Sequence, residues 1–313
     1  MKILVVDHIH TILVELFQGS GHECDYRPDI RPDEITHALK NYNGIIIRSK
    51  IKLTKEIIQQ CPDLKFIGRV GAGMENIDTE CAENKGIACF NSPEGNRDAV
   101  GEHALGMLLC LMNNLFRAHN EVKSGLWKRE ENRGFEIKGK TIGIIGYGNM
   151  GSSFARKLSG FEAEVIAYDK YKSNYSDQYV QETGMDEIFS LTDILSLHVP
   201  LTAETHHLVN DEYIRKFKKK IYILNTARGK VVDTGALVKH LNTGKIIGAG
   251  LDVLEYESLS FENLHKETLP DDFRYLTQSD KVILSPHIAG WTHESNYKLS
   301  EILAEKIIRH FKN

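Results

Sequence analysis

An α/β fold of two doubly wound parallel-sheet domains, one inserted into the other, is what this sequence predicts. Three observations lead there. Short apolar runs alternate with helical stretches along most of the chain. The runs are continuously apolar rather than alternating, as in strands covered by helices on both faces. At 313 residues the chain is also too long for one small core, so two domains are expected.

The predicted strands are Ile3–Val6, Gly44–Ile47, Lys65–Val70, Ile87–Phe90, Thr141–Ile145, Glu164–Tyr168, Asp193–His198, Lys220–Leu224, Ile247–Leu251 and Lys281–Leu284. Between them lie helical stretches such as Thr54–Gln60, Thr79–Lys85 and Gly235–Leu241. The longest helical pattern runs from about Arg97 to Lys123, and its first half is apolar nearly all round. Such a helix must be covered on several sides, either inside its own domain or at a domain or subunit interface. One boundary falls near Pro93 and a second near Ser285–Pro286, ahead of a last helix over Thr292–Phe311. This predicts a discontinuous domain of residues 1–93 and 285–313, with residues 94–284 inserted.

Composition narrows the function classes. With 39 Lys+Arg against 43 Asp+Glu, the net charge of -4 argues against nucleic acid as a main partner. The longest apolar run, Ala104 to Met112, is far short of a membrane span. Asp7, His8 and His10 interrupt the N-terminal apolar run too early for a signal-peptide core. Five scattered cysteines without a C-x-x-C pair suggest a reducing cytoplasm, and no histidine cluster suggests a metal.

The inserted segment carries the clearest chemistry. Strand Thr141–Ile145 runs into Gly146-x-Gly148-x-x-Gly151, and a helical pattern follows. The first glycine permits the tight turn, the second lets backbone approach a pyrophosphate, and the third lets helix and strand pack closely. The helix start then offers N–H groups and a positive dipole end to the anion. The next strand ends in Asp169, which can accept the adenosine ribose hydroxyls and would repel a 2′-phosphate. The segment is therefore a Rossmann-like domain for NAD rather than NADP, with Lys170 tempering that preference slightly.

Hydride transfer further needs a cation for the substrate, a group that exchanges the hydroxyl proton, and a carboxylate that orients it. Candidates follow strand ends, where ligands of open parallel sheets bind. Arg228 is in LNTARG, Asp252 and Glu257 are in AGLDVLEYE, and His287 is in LSPHIAGW.

With GYGNMG, HVPLTAETHHLV, LNTARG, AGLDV and SPHIAG in this order and spacing, the chain resembles the D-isomer-specific 2-hydroxy acid dehydrogenases over almost its whole length. The resemblance implies that Arg228 binds the substrate carboxylate and oxo oxygen, that Glu257 pairs with His287, and that His287 is the acid/base. It implies cofactor contacts at Gly146, Tyr147, Gly148, Asn149, Met150, Gly151, Asp169, His198, Val199, Pro200, Thr205, Thr226, Ala227, Asp252 and Gly290. The family pattern G-L-D-V-x-x-x-E-P has Ser258 in place of its proline here, and Glu255 offers a second register.

The first domain bears on the substrate. IIIRSKIKLT, FIGRVGAGMENID and NSPEGNRDAVGEHAL look most like the D-3-phosphoglycerate dehydrogenase branch of that family, the entry to serine synthesis. Arg48, Ser49, Arg69 and Asn96 would lie near a phosphorylated 2-hydroxy acid, with Val70 and Gly71 offering backbone N–H groups. A phosphate is well met by arginine forks. The alternative is that Arg48 and Arg69 cap exposed strand ends. Also open are a reductase of glyoxylate, hydroxypyruvate or another small 2-oxo acid, and an NAD-sensing corepressor like the C-terminal-binding proteins. The chain ends at Asn313, which leads to the expectation that serine feedback through a C-terminal domain is absent. A homodimer about the helix from Arg97 to Leu115 is expected.

Overall fold

The structure is a computed structural model that describes residues 1–257 and 269–312. It divides into two compact units. One comprises Met1–Arg97 with Trp291–Asn313, the other Asp98–Gly290. The sequence-read boundaries at 93/94 and 284/285 each fall a few residues short of these.

The first unit is built on five parallel strands, β1 (Lys2–Val5), β2 (Glu23–Tyr26), β3 (Gly44–Ile47), β4 (Phe66–Arg69) and β5 (Ala88–Asn91), in the order β2-β1-β3-β4-β5. Both faces are covered. On one, Leu4, Ile45, Ile47 and Ile67 pack with Ile35, Leu39 and Ile58. On the other, Ile3, Val5, Ile46 and Phe66 pack with Leu13 and Phe17, and with Leu299, Leu303 and Ile307 of the C-terminal helix His293–Lys312. That helix lies so close to the sheet that a Cβ on Gly68 would stand 3.0 Å from Ile307 Cδ1 and 2.7 Å from Ile46 Cδ1. Lys306 also reaches Glu94 at 2.7 Å. The C-terminal segment thereby completes the core begun by the first 97 residues.

The described residues of the second unit form seven parallel strands, β6 (Thr141–Ile145), β7 (Glu164–Tyr168), β8 (Gln181–Glu182), β9 (Ile194–Leu197), β10 (Ile221–Asn225), β11 (Ile246–Leu251) and β12 (Val282–Leu284). Their order is β12-β11-β10-β9-β6-β7-β8. Strand order reverses between β6 and β9, the switch point beyond whose carboxyl ends doubly wound sheets bind ligands. Separate cores fill the two faces.

The ten strands read from the sequence are all present, each to within a residue at either end. Two more form: β2, a half-exposed edge strand with no apolar run, and the two-residue β8. The single long helix expected over Arg97–Lys123 is two helices, Arg97–Met112 and Leu115–Lys123. The break is at Asn114, whose φ of 51° is left-handed, a conformation asparagine tolerates better than most residues. The first of these helices is covered within its own unit. Ala104, Met107, Leu108, Leu111 and Met112 join Ile142, Ile144 and Phe154 in one core cluster, and Leu108 is fully buried. Exposed apolar side chains follow further along this stretch, at Leu115, Phe116, Val122, Leu126, Trp127 and Phe135. Among the described residues no helix is long and apolar enough to cross a membrane, and no group of three or more His, Cys, Asp or Glu is placed to hold a metal.

Candidate active site

The glycine turn leaves β6 and enters the helix Asn149–Lys157. Its glycines differ in kind. Gly146 has φ +90°, and a Cβ there would meet His198 O at 2.6 Å. A Cβ on Gly151 would stand 2.2 Å from Gly146 O, so this position packs helix against strand. Among the described residues a Cβ on Gly148 would meet no atom within 4 Å, so open space adjoins the backbone where the helix N–H groups begin. The turn is tied to β7 by Asp169, whose Oδ2 accepts Tyr147 N at 2.9 Å and whose Oδ1 accepts Tyr171 N at 2.9 Å. Lys170 points its charge elsewhere, onto Glu204 at 2.8 Å.

The Tyr147 ring is buried, stacked on Tyr175 with its hydroxyl on Asp177. Only its backbone is offered to a ligand. Asn149 and Met150 open the helix, half-buried. Past β9, His198 bonds Ser196 Oγ through Nε2 at 2.8 Å, packs on Phe154, and is held neutral by burial, which lowers it to about 4. Half-buried Val199 and exposed Pro200 follow. Thr205 closes that loop by donating to Pro200 O at 2.6 Å and accepting from Thr202 N at 2.8 Å. Past β10, Asn225 braces the turn, accepting Ala227 N at 3.0 Å and donating to Arg228 O at 3.0 Å. The Thr226 hydroxyl there is buried and has no partner among the described residues. An open space against the turn and an orphaned buried hydroxyl beside the switch point fit a dinucleotide.

Beyond β11 and β12 the proton-exchange candidates meet. His287 Nδ1 lies 2.7 Å from Glu257 Oε2, with side-chain exposures of 23% and 14%. Glu257 also accepts the Leu254 amide. Glu255 is committed elsewhere, to His207 Nε2 at 2.6 Å and to the Thr234 amide and hydroxyl, so the two possible registers are distinguished by geometry. Ser258 lies outside the described residues. His287 has a left-handed φ of 55°, a conformation that persists in a non-glycine residue only where surroundings enforce it.

The enforcing group is Asp252, 1% exposed. Its carboxylate accepts Ser285 Oγ at 2.5 Å, Ile288 N at 2.9 Å and Ala289 N at 2.8 Å, and its carbonyl accepts His287 N at 2.7 Å. Asp252, read from the sequence as a cofactor contact, spends its carboxylate on the loop that carries His287 and runs on to Gly290. His103 joins through Ser285 Oγ at 2.9 Å. The sequence pattern assigns no role to His103, Ser285 or Asn225, although Asn225 lies in LNTARG and Ser285 in SPHIAG. Arg228 is half-buried with Nη1 on Ala227 O at 2.6 Å. A Cβ on Gly229 would collide with Leu254 C at 2.0 Å, which explains the glycine that follows it.

In the first unit the two candidate arginines differ. Arg69 is 8% exposed and donates from Nε to Arg48 O at 3.1 Å and from Nη1 to Gly73 O at 2.7 Å. Arg48 donates its amide to Asp7 Oδ2 at 2.6 Å, and its guanidinium carbon lies over the Trp291 ring, 3.9 Å from its centre. Ser49 is half-buried, Val70 and Gly71 are buried, and the buried Asn96 side-chain oxygen finds no partner among the described residues.

Residues 105–289 match the family model of the D-isomer specific 2-hydroxyacid dehydrogenase NAD-binding domain. The chain is 33% identical over 310 residues to the D-3-phosphoglycerate dehydrogenase of Archaeoglobus fulgidus, covering 98% of this chain but 57% of the relative. It is 36% identical over 280 residues to the hydroxypyruvate reductase of Thermotoga maritima, covering 90% of this chain and 88% of the relative. The chain thus spans little more than half the length of the phosphoglycerate dehydrogenase. Among solved structures, the D-lactate dehydrogenase of Aquifex aeolicus, complexed with NAD and lactic acid, superposes with a TM-score of 0.83 at 31% identity, over 100% of this chain and 96% of that one. The chain belongs to the D-isomer-specific 2-hydroxyacid dehydrogenase family, and its second unit is an NAD-binding domain.

Proposed function

We propose that the protein oxidises D-3-phosphoglycerate to 3-phosphohydroxypyruvate with NAD, the opening step of serine synthesis. The observation that carries the reaction class is the 2.7 Å contact between His287 and Glu257 in the NAD-binding unit. Bound NAD supplies the acceptor for the hydride leaving the substrate's hydroxyl-bearing carbon. The turn Gly146–Gly151 would hold its pyrophosphate and Asp169 its ribose. Glu257 fixes Nδ1 of His287, so Nε2 is the nitrogen that takes the hydroxyl proton, and the carboxylate stabilises the imidazolium that forms. Arg228 binds the carboxylate and the oxygen that becomes the carbonyl.

Arg48, a charged fork with no polar partner on its guanidinium among the described residues, favours a substrate with a second anionic group. One observation favours reduction of hydroxypyruvate or glyoxylate instead: Arg69, the other candidate for that anion, is already bonded to backbone carbonyls. A substrate panel of D-3-phosphoglycerate, D-glycerate and D-lactate with NAD separates the two. The proposal requires the highest kcat/KM for the phosphorylated acid, and a preference for D-glycerate would replace it with the second reading.

Two further expectations belong to the same reading. Exposed Leu115, Phe116, Trp127 and Phe135, all within one stretch of the chain, support a homodimer formed by this segment rather than by the buried helix before it. Five free cysteines, with Cys24 and Cys89 pushed up by burial to about 11, suit a reducing, cytoplasmic setting.

A further inference from the structure

The Arg48 side chain is unusual among the charged groups of the first unit. It follows β3 directly, and its backbone is clamped from two sides. Its amide donates to the buried Asp7 carboxylate at 2.6 Å, and its carbonyl accepts Arg69 Nε at 3.1 Å. Arg69 is itself anchored to Gly73 O at 2.7 Å. Burial draws the Arg48 guanidinium down from its ordinary range, with Asp7 acting in the opposite direction. An arginine so placed normally finds a carboxylate or carbonyl. Among the described residues this guanidinium makes no hydrogen bond or ion pair, and its carbon lies 3.9 Å from the centre of the Trp291 ring. Trp291 is 64% exposed, an unusual position for so large an apolar side chain.

A guanidinium carbon 3.9 Å from the ring centre is near enough for the π face to rest on the indole, a contact that leaves the in-plane N–H fork unspent, the edge that meets phosphate or carboxylate in two parallel hydrogen bonds. A rigid backbone, an indole platform and an unspent fork together make a preorganised anion receptor. We propose that Trp291 is a specificity-determining residue: its indole holds the Arg48 fork open to an anionic group of the substrate. The enzyme thereby selects the phosphorylated three-carbon acid over its unphosphorylated counterpart. Arg69 acts behind Arg48 as a positioning residue and does not itself bind the phosphate. The inference rests on the substrate proposed above.

The test compares Trp291→Ala, Trp291→Phe and Arg48→Met with the parent in the full chain at saturating NAD, reading kcat and KM separately for D-3-phosphoglycerate and D-glycerate. A cation–π contact has a strength that corresponds to roughly 2- to 30-fold in binding. Trp291→Ala should raise KM for D-3-phosphoglycerate by a factor in that range, keep kcat within about 2-fold, and leave D-glycerate unaffected. Trp291→Phe should recover most of the loss, and Arg48→Met should exceed Trp291→Ala. Calorimetric binding of D-3-phosphoglycerate to the NADH-loaded enzyme should weaken by the same factor, while NADH affinity stays at the parent value and reports an intact fold. If the parent prefers D-3-phosphoglycerate and Trp291→Ala changes nothing, changes both substrates alike, or lowers only kcat, the inference fails and the substrate reading stands. A Phe variant as weak as Ala also overturns the platform. A parent that prefers D-glycerate overturns both.

Discussion

Alanine at Gly148 and alanine at Gly151 should damage the same turn in opposite ways. At Gly151 the new Cβ would stand 2.2 Å from Gly146 O and 3.2 Å from Ile144 Cγ2. The first contact is more than an ångström inside van der Waals distance, and its partner is a backbone oxygen that cannot rotate away. Relief requires the helix Asn149–Lys157 to shift off β6. Overpacking of this kind costs about 1–3 kcal/mol. In a unit of this size that lowers the melting temperature by several degrees. At Gly148 the Cβ meets nothing within 4 Å, and φ of -90° with ψ of -154° is open to any residue. The fold should therefore lose at most the small preference for glycine over alanine at a helix N-cap, about 1 kcal/mol. The methyl group instead enters the space where backbone must approach a pyrophosphate. NADH affinity should fall at least tenfold, about 1.4 kcal/mol. Scanning calorimetry and fluorescence titration with NADH read the two effects separately. A Gly148→Ala protein that binds NADH like the parent would refute the placement of the pyrophosphate. A Gly151→Ala protein as stable as the parent would refute the close packing.

His287→Asn should retain NADH binding and lose roughly 100- to 10,000-fold in turnover; near-parental turnover at neutral pH would remove His287 from the chemistry. Asp169→Ala should raise the ratio of NADP to NAD catalytic efficiency, since it deletes a ribose acceptor and the repulsion of a 2′-phosphate. Because Asp169 also holds the Tyr147 and Tyr171 amides, efficiency with NAD should drop as well, and an unchanged ratio counts against the assignment. His198, lowered to about 4 in the fold, contributes stability that is complete above its ordinary value near 6.5 and is lost as pH falls from there toward 4. His198→Gln should therefore lose less melting temperature than the parent between pH 7 and pH 5, and an equal loss contradicts the assignment. Light scattering at micromolar concentration should give twice the chain mass, and Trp127→Asp with Phe116→Asp should halve it; a monomeric parent defeats the dimer.

Strands were legible because burial on both faces imposes a simple code. β3, β6 and β7 coincide with their predicted spans because each is a run whose ends are set by a change from apolar to polar residues. β2 carries no such code. It pairs only with β1 at the sheet edge, and residues such as Glu23 and Asp25 face partly into water. The helix break was less legible for another reason. Asn113 and Asn114 are compatible with helical spacing, and only the left-handed φ of Asn114 separates the two helices. The burial of Leu108 was not legible at all. An apolar helix surface looks the same whether its cover comes from β6 and Phe154 of its own unit or from a second chain.

Site residues divide by a similar logic. Where chemistry demands a residue type at a fixed spacing along the chain, as at Gly146, Gly148 and Gly151, the sequence carries the information. Where the partner is remote, it does not. Glu255 and Glu257 are equally good acids two residues apart, and the difference between them lies in His207, Thr234 and His287. Asp252 looked like a ligand contact because it ends a strand at the proper place, yet the atoms that use it are amides of residues 288 and 289 and the Ser285 hydroxyl. Arg48 and Arg69 each end a strand and present the same charge. One is spent on carbonyl oxygens and the other rests on an indole ring from the far end of the chain. Type and spacing identify which residues could act, but the hydrogen bonds already formed decide which still have donors to offer. By that criterion Arg48, rather than Arg69, is the arginine proposed to meet the substrate.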